Sequence, residues 1–198
     1  MTNDKKTIIL RTAAQAFALF GYKGTTMEQI AKMANVGKGT LYTIFSSKEA
    51  LFDEVIDRTI MKVIRVAQNA ISPERSFQDN MLAMMDEIMN LRKKSKLLNK
   101  LLQEVRFAGT PAVLRAQKRY EEEMERFLEQ LLQEALQKGE IVPCDPKIVS
   151  YAMVRLYVAL TLEWNRTRQP LEKEVVKHYI HLLLLNGLTA KKEETERE

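Results

Sequence analysis

The 198-residue chain has a single cysteine, Cys144, so no disulfide can close within it, and this fits a reducing compartment. It lacks any run approaching the ~20 apolar residues that cross a bilayer. Its first residues, Met-Thr-Asn-Asp-Lys-Lys, have no apolar core of the kind secretion signals carry. A soluble, cytoplasmic protein with no membrane partner is therefore expected. Convincing strands and internal repeats are also absent. No nucleophile stands beside a base and no carboxylate pair is set up for acid–base work, so enzymatic chemistry and a cofactor are not expected. The two histidines, His178 and His181, lie three apart without a third ligand nearby, which argues for a lateral or dimer-interface role and against a metal site. Cys144 follows Pro143 with only Lys147 as a basic neighbour, the pattern of an inert thiol. Gly37-Lys38-Gly39-Thr40 lacks the preceding strand and the Gly-Lys-Ser/Thr order of a phosphate-binding loop.

What the chain does have is helix-forming pattern throughout. Hydrophobic residues make up 45% and charged residues 29%, enough apolar surface for a proper core. Punctuation divides the sequence into about nine helices, an all-α chain. The first runs from near Asp4 to Phe20, with Gly21 as its stop. Thr26 and Gln29 have capping-box spacing for a second, and Asn35 is suited to a left-handed turn. A third covers the Lys38 region. A Ser46/Glu49 capping box opens a fourth, reaching about Ala70. Ser72-Pro73 opens the next, to about Lys94, and a short helix spans Ser95–Arg106. A long one follows Gly109-Thr110-Pro111 and stops at Gly139. Asp145-Pro146 caps another, to about Arg168, and the last covers Glu172–Leu188. The tail from Lys191 is charged and expected to fray. The runs Arg92-Lys93-Lys94 and Glu121-Glu122-Glu123 read as solvated faces or helix ends.

The most informative stretch is 25–48. Ile30, Ala31 and Ala34 form an inward face of one helix, Val36 plugs the turn, and Leu41 and Phe45 bury the next. The outward face of that second helix is left with Lys38, Thr40, Tyr42 and Thr43, short and cationic enough for a DNA major groove. Charge agrees. Residues 1–48 hold seven basic and two acidic groups, whereas 49–198 hold 24 of each, so the whole net charge of +5 sits beside this helix-turn-helix.

Phe20-Gly21-Tyr22, Thr25-Thr26, Lys38-Gly39-Thr40-Leu41-Tyr42, Phe45 and Ser47-Lys48-Glu49 follow one another without gaps. In that order they resemble the DNA-binding domain of the TetR family of bacterial regulators, over about a quarter of the chain. Three positions depart from the family pattern: Asn35 where glycine is common, Gly37 where serine is common, and Ile44 where a phosphate-touching Tyr or His is common. The resemblance implies a reader over residues 1–50, a ligand-binding and dimerising helical part over 51–190 and a charged tail over 191–198.

Chemistry and resemblance together assign roles. Thr26 at a helix start, Tyr42, and Lys48 from the other side are expected to hold phosphates. Lys38 and Thr40 are expected to read bases, beside Thr43, with Gly37 and Gly39 admitting the backbone close to DNA. From Ile148 to Trp164, and again from Val175 to Leu185, apolar residues occupy nearly every side. Helices of that kind must be covered all round, which predicts a homodimer through Tyr157, Leu160, Tyr179 and Leu183; a monomer with a deeply buried hairpin is the alternative. The resemblance also implies a cavity whose ligand changes the spacing of the two readers. Met81, Met84, Met85 and Met89, with Phe107, Tyr120, Phe127 and Trp164, suit a small apolar or amphiphilic compound, though a Met stripe at helical spacing also reads as ordinary core. The expected function is a dimeric repressor on a palindromic double-stranded operator. The competing reading is a helical interaction or small-molecule-binding protein without sequence-specific DNA binding.

Overall fold

Local capping chemistry starts and stops most of the helices. The computed structural model describes residues 2–188, and within them not the side chains of residues 2, 3 and 106–108. The charged tail lies outside the described residues. α1 (Thr2–Gly24) breaks at Gly21, whose φ of 73° and ψ of 175° only glycine adopts easily. α2 (Met27–Met33) opens on the expected capping box: Thr26 Oγ1 accepts from Gln29 N–H at 3.2 Å while Gln29 Oε1 accepts from Thr26 N–H at 2.8 Å. It closes on Asn35 at φ 52°, with Val36 N–H donating to Ala31 O and Asn35 N–H to Lys32 O. α3 (Lys38–Ile44) has Gly37 at its start and no side-chain cap. α4 (Lys48–Asn69) is capped by Ser47, whose hydroxyl accepts from Ala50 N–H at 3.1 Å. That corrects the Ser46/Glu49 expectation by one residue.

α5 (Phe77–Lys94) begins later than Ser72-Pro73 suggested. Residues 72–76 form a turn instead, held by Asn80, whose side chain bonds both the N–H and the carbonyl of Ser72 at 2.9 Å. Ser76 and Asp79 then cap the helix. α6 (Lys96–Ala108) starts at Ser95, and α7 (Pro111–Gln137) ends at Gly139 in the same left-handed closure as α2. α8 (Pro146–Val158) is capped by Asp145 and runs on through a π-helical turn (Ala159–Glu163) and a 3₁₀ turn (Trp164–Arg166). α9 (Lys173–Ile180) likewise continues through a π turn (His181–Leu185) into a final turn (Asn186–Leu188). The all-α expectation holds, with no strand among the described residues.

The chain forms two units, one of residues 1–65 with 88–121 and the other of 66–87 with 122–198. In the first, Phe17, Phe52, Ile30, Leu41 and Leu51 are essentially sealed from solvent, and α6 and α7 add Leu101, Val105 and Val113 to the same core. Burying each such side chain contributes about 1.5–3 kcal/mol. Phe17 meets Phe52 edge-on at 5.0 Å, and Tyr22 packs on Phe52 at 4.7 Å. Arg115 pairs with Glu49, and Arg119 forks between Asp53 and Asp57, tying α7 to α4. In the second unit, Phe77, Met81, Phe127, Leu132, Val176 and Leu185 are buried. Asp86 of α5 joins α9 there, with Oδ2 accepting from Lys173 Nζ at 3.0 Å and Oδ1 lying 2.7 Å from Lys177 Nζ.

Candidate DNA-reading site

The reading face is built on buried side chains of α2 and α3. Ile30 and Ala31 of α2, Leu41 of α3 and Phe45 just beyond it are all inward, and Val36 and Ile44 pack against the same core. Ile44 therefore serves the core, and its side chain brings no polar group to a phosphate. With those residues inside, Lys38, Tyr42 and Thr43 are exposed and Thr40 is half-buried. Gly37 and Gly39 are exposed, and a Cβ built on Gly39 meets nothing, so backbone is open to an approaching partner.

The predicted contacts differ in how free they are. Thr26 accepts a bond in its capping box and keeps its hydroxyl proton for another partner. Thr43 Oγ1 instead donates back to Gly39 O at 2.9 Å. Lys38 Nζ lies 2.5 Å from Glu28 Oε1, an exposed pair between α3 and α2 that the sequence reading missed. The pair holds Lys38 above, and Glu28 below, their ordinary ranges, chiefly through their mutual hydrogen bond. Lys48 is turned inward. Its Nζ donates to Tyr22 O and Thr25 O, both at 2.9 Å, and sits 4.4 Å from the centre of the Tyr22 ring. In this structure Lys48 clamps the end of α1 to the start of α2. Thr25, fully buried, donates to Gly21 O at 2.6 Å and completes that junction.

A second fastening comes from far along the chain. Glu104 of α6 accepts from Tyr22 N–H at 2.9 Å, over Gly21, where any Cβ would collide with the carboxylate. Folding also concentrates charge beyond what the first 48 residues suggested. The first unit holds 19 basic and 8 acidic residues, a net +11, because α6, its flanks and the start of α7 join it. The second holds 12 and 18, a net −6. A face of exposed polar and cationic groups on so basic a unit suits a polyanion.

The matching family model is that of bacterial regulatory proteins of the tetR family, over residues 9–55. An HTH-type transcriptional regulator of uncharacterised role from Bacillus subtilis, YhgD, is 36% identical over 190 residues, spanning 96% of this chain and all of its own. The chain belongs to the TetR family. It is a transcriptional regulator with a DNA-binding helix-turn-helix, a non-enzymatic class. A crystal structure from Mesorhizobium loti assigned to the same family shares the fold at TM-score 0.76 and 21% identity, covering 96% of this chain and 99% of that one. The structure of AibR in complex with isovaleryl coenzyme A and operator DNA shares it at TM-score 0.58 and 21% identity, covering 91% and 98%.

The residues expected to line a ligand cavity fall in both units. Met81, Met84, Met85 and Phe127 are buried in the second unit, whereas Met89 belongs to the first and Tyr120 packs against the first unit's core. Trp164 donates its Nε1–H to Gln169 O at 2.9 Å, with Arg168 stacked 4.6 Å from its ring. The Phe107 side chain lies outside the described residues. Glu121 is buried rather than on a solvated face, accepting from Gln117 at 2.7 Å. Of the expected dimer residues, Tyr179 and Leu183 are exposed and Tyr157 and Leu160 half-buried. Burial raises the Cys144 thiol, and Asp145 adds to the effect. Among the described residues no helix is long and apolar enough to cross a membrane, and no three His, Cys, Asp or Glu side chains gather to hold a metal.

Proposed function

We propose that the protein is a homodimeric repressor that reads a near-palindromic operator and is released by a small apolar or amphiphilic ligand. The observation that carries this is the exposed Lys38, Tyr42 and Thr43 face of α3, seated on buried Leu41 within a unit of net charge +11. Residues 1–50 supply the reader, and residues 51–190 sense and dimerise. Thr26 and Tyr42 hold phosphates, while Lys38 and Thr40 face base edges.

Dimerisation is supported by the apolar surface of the second unit. Ile148 and Tyr151 on α8, with Val175, Tyr179, Leu182 and Leu183 on α9 and its extension, are all exposed. α8 and α9 pack on each other, and large apolar side chains left exposed on both suit an interface. Covering it with a second copy gives a four-helix bundle and brings two reading helices to successive major grooves, about 34 Å apart or a multiple of a turn. Repression follows from such a dimer occupying a promoter. Release by ligand is supported by the buried Met81, Met84, Met85 and Phe127, soft side chains that adapt to an apolar guest, and by the acyl-CoA that AibR holds.

The test is capture of genomic DNA fragments on the purified protein, followed by sequencing. Enrichment of one short two-fold symmetric motif is the expected result. Retention of fragments without a shared motif would contradict it.

A further inference from the structure

α3 begins with a cation at the positive end of its own dipole: Lys38 is its first residue, no acid lies in its first turn, and Gly37 offers no side-chain cap. The missing negative charge comes from α2. Glu28, ten residues away, places Oε1 2.5 Å from Lys38 Nζ. The two side chains are 66% and 60% exposed, so water screens the pair and folding depends on it little. A nucleic acid can therefore open it. What the pair presents to that nucleic acid is a donor and an acceptor side by side, at the start of the reading helix.

The major-groove edge of a G·C pair carries guanine N7 and O6, two adjacent acceptors, followed by the N4–H₂ donor of cytosine. Lys38 can donate to the guanine while Glu28 accepts from the cytosine. An A·T pair interposes a donor between its acceptors and adds the thymine methyl, so it matches the same two groups less well. On the phosphate backbone the Glu28 carboxylate beside Lys38 faces a polyanion, a like-charge contact that disfavours attachment away from the right base pair. We infer that Glu28 and Lys38 form one reading element for a G·C pair in each half-site, with Glu28 opposing attachment to other sequences. This rests on the sequence-specific DNA binding proposed above. A glutamate carboxyl is ionised at neutral pH, with or without Lys38 beside it.

The test uses Glu28→Gln, which keeps the shape and removes the charge, against the parent protein. Both are titrated with the captured operator, with duplexes in which each G·C pair of a half-site is replaced in turn by A·T, and with a shuffled duplex. The parent is expected to lose about tenfold at one particular G·C pair. Glu28→Gln is expected to lose most of that penalty at that pair alone, and to bind the shuffled duplex about threefold tighter or more. An unchanged melting temperature shows that the variant is folded. A penalty pattern and a shuffled-duplex affinity equal to the parent's would overturn the inference and leave the DNA-reading proposal standing. A parent that cannot tell operator from shuffled DNA would overturn both.

Discussion

At the scale of single residues, the groups around α2 and α3 divide into those facing outward and those holding the head together. Tyr42 is exposed on α3, whereas Lys48 is bonded to two carbonyls. Tyr42→Ala should weaken binding to every DNA sequence several-fold without moving the melting temperature. Lys48→Ala should weaken binding and also lower the melting temperature, because it strips the caps from Tyr22 O and Thr25 O. Parallel melting curves and titrations separate the two. Gly21→Ala should cost about 3 kcal/mol in denaturant unfolding, since alanine is strained at φ 73° and its Cβ displaces Glu104 from Tyr22 N–H. The Thr26/Gln29 box, the Asn35 turn and the Gly139 stop were legible because each is a code of a few adjacent residues. The inward turn of Lys48 was not, because its partners are 23 and 26 residues away, and the Glu104 bond spans 82.

At the scale of elements, α3 is short and uncapped. Gly37 has an extended backbone, and a Cβ there meets Thr40 Oγ1 only at ordinary contact distance. Gly37→Ser should therefore stabilise the protein by about 0.5–1 kcal/mol, by capping α3 and restricting the unfolded chain, read as a rise of about 1–4 °C in melting temperature. The tie between α5 and α9 predicts a pH effect. Hydrogen bonding from Lys177, against burial and with help from Lys173, holds Asp86 below the ordinary aspartate range, and the bond to Asp86 holds Lys177 above the ordinary lysine range. A lowered acid contributes fully above its unfolded value and is lost as pH falls through its folded one. A raised base contributes below its unfolded value and is lost as pH rises through its folded one. The tie thus acts between about pH 4 and pH 10. Asp86→Asn should cost about 1 kcal/mol in urea unfolding at pH 7, and the gap from the parent should narrow by pH 3.5. Helix number and order could be read from punctuation, but the start of α5 could not. Ser72-Pro73 is a good local helix start, and the more distant Asn80 side chain converts it to a turn. The π turns in α8 and α9 leave no trace in periodicity because apolar residues occupy every side there.

At the scale of the whole molecule, charge is what folding rearranges most. The sequence placed +5 on the first 48 residues and neutrality elsewhere, yet the two units carry +11 and −6, because residues 88–121, with nine basic and two acidic groups, join the reader's unit. Binding to DNA should accordingly weaken steeply with salt, as counterion release requires. The exposed Leu183 should be covered in the proposed dimer. Leu183→Glu is expected to yield a monomer in sedimentation and to lose operator binding together with its partner copy. A Met stripe in sequence reports burial, and only the fold says in which unit each residue is buried.

Titration of a labelled duplex shows whether this head reads sequence. The captured operator and a shuffled duplex of the same composition are each titrated with the protein at near-physiological salt. Sequence-specific reading requires at least about 10³-fold tighter binding to the operator, at two chains per duplex. Equal affinity for both duplexes, vanishing as salt is raised, would contradict it.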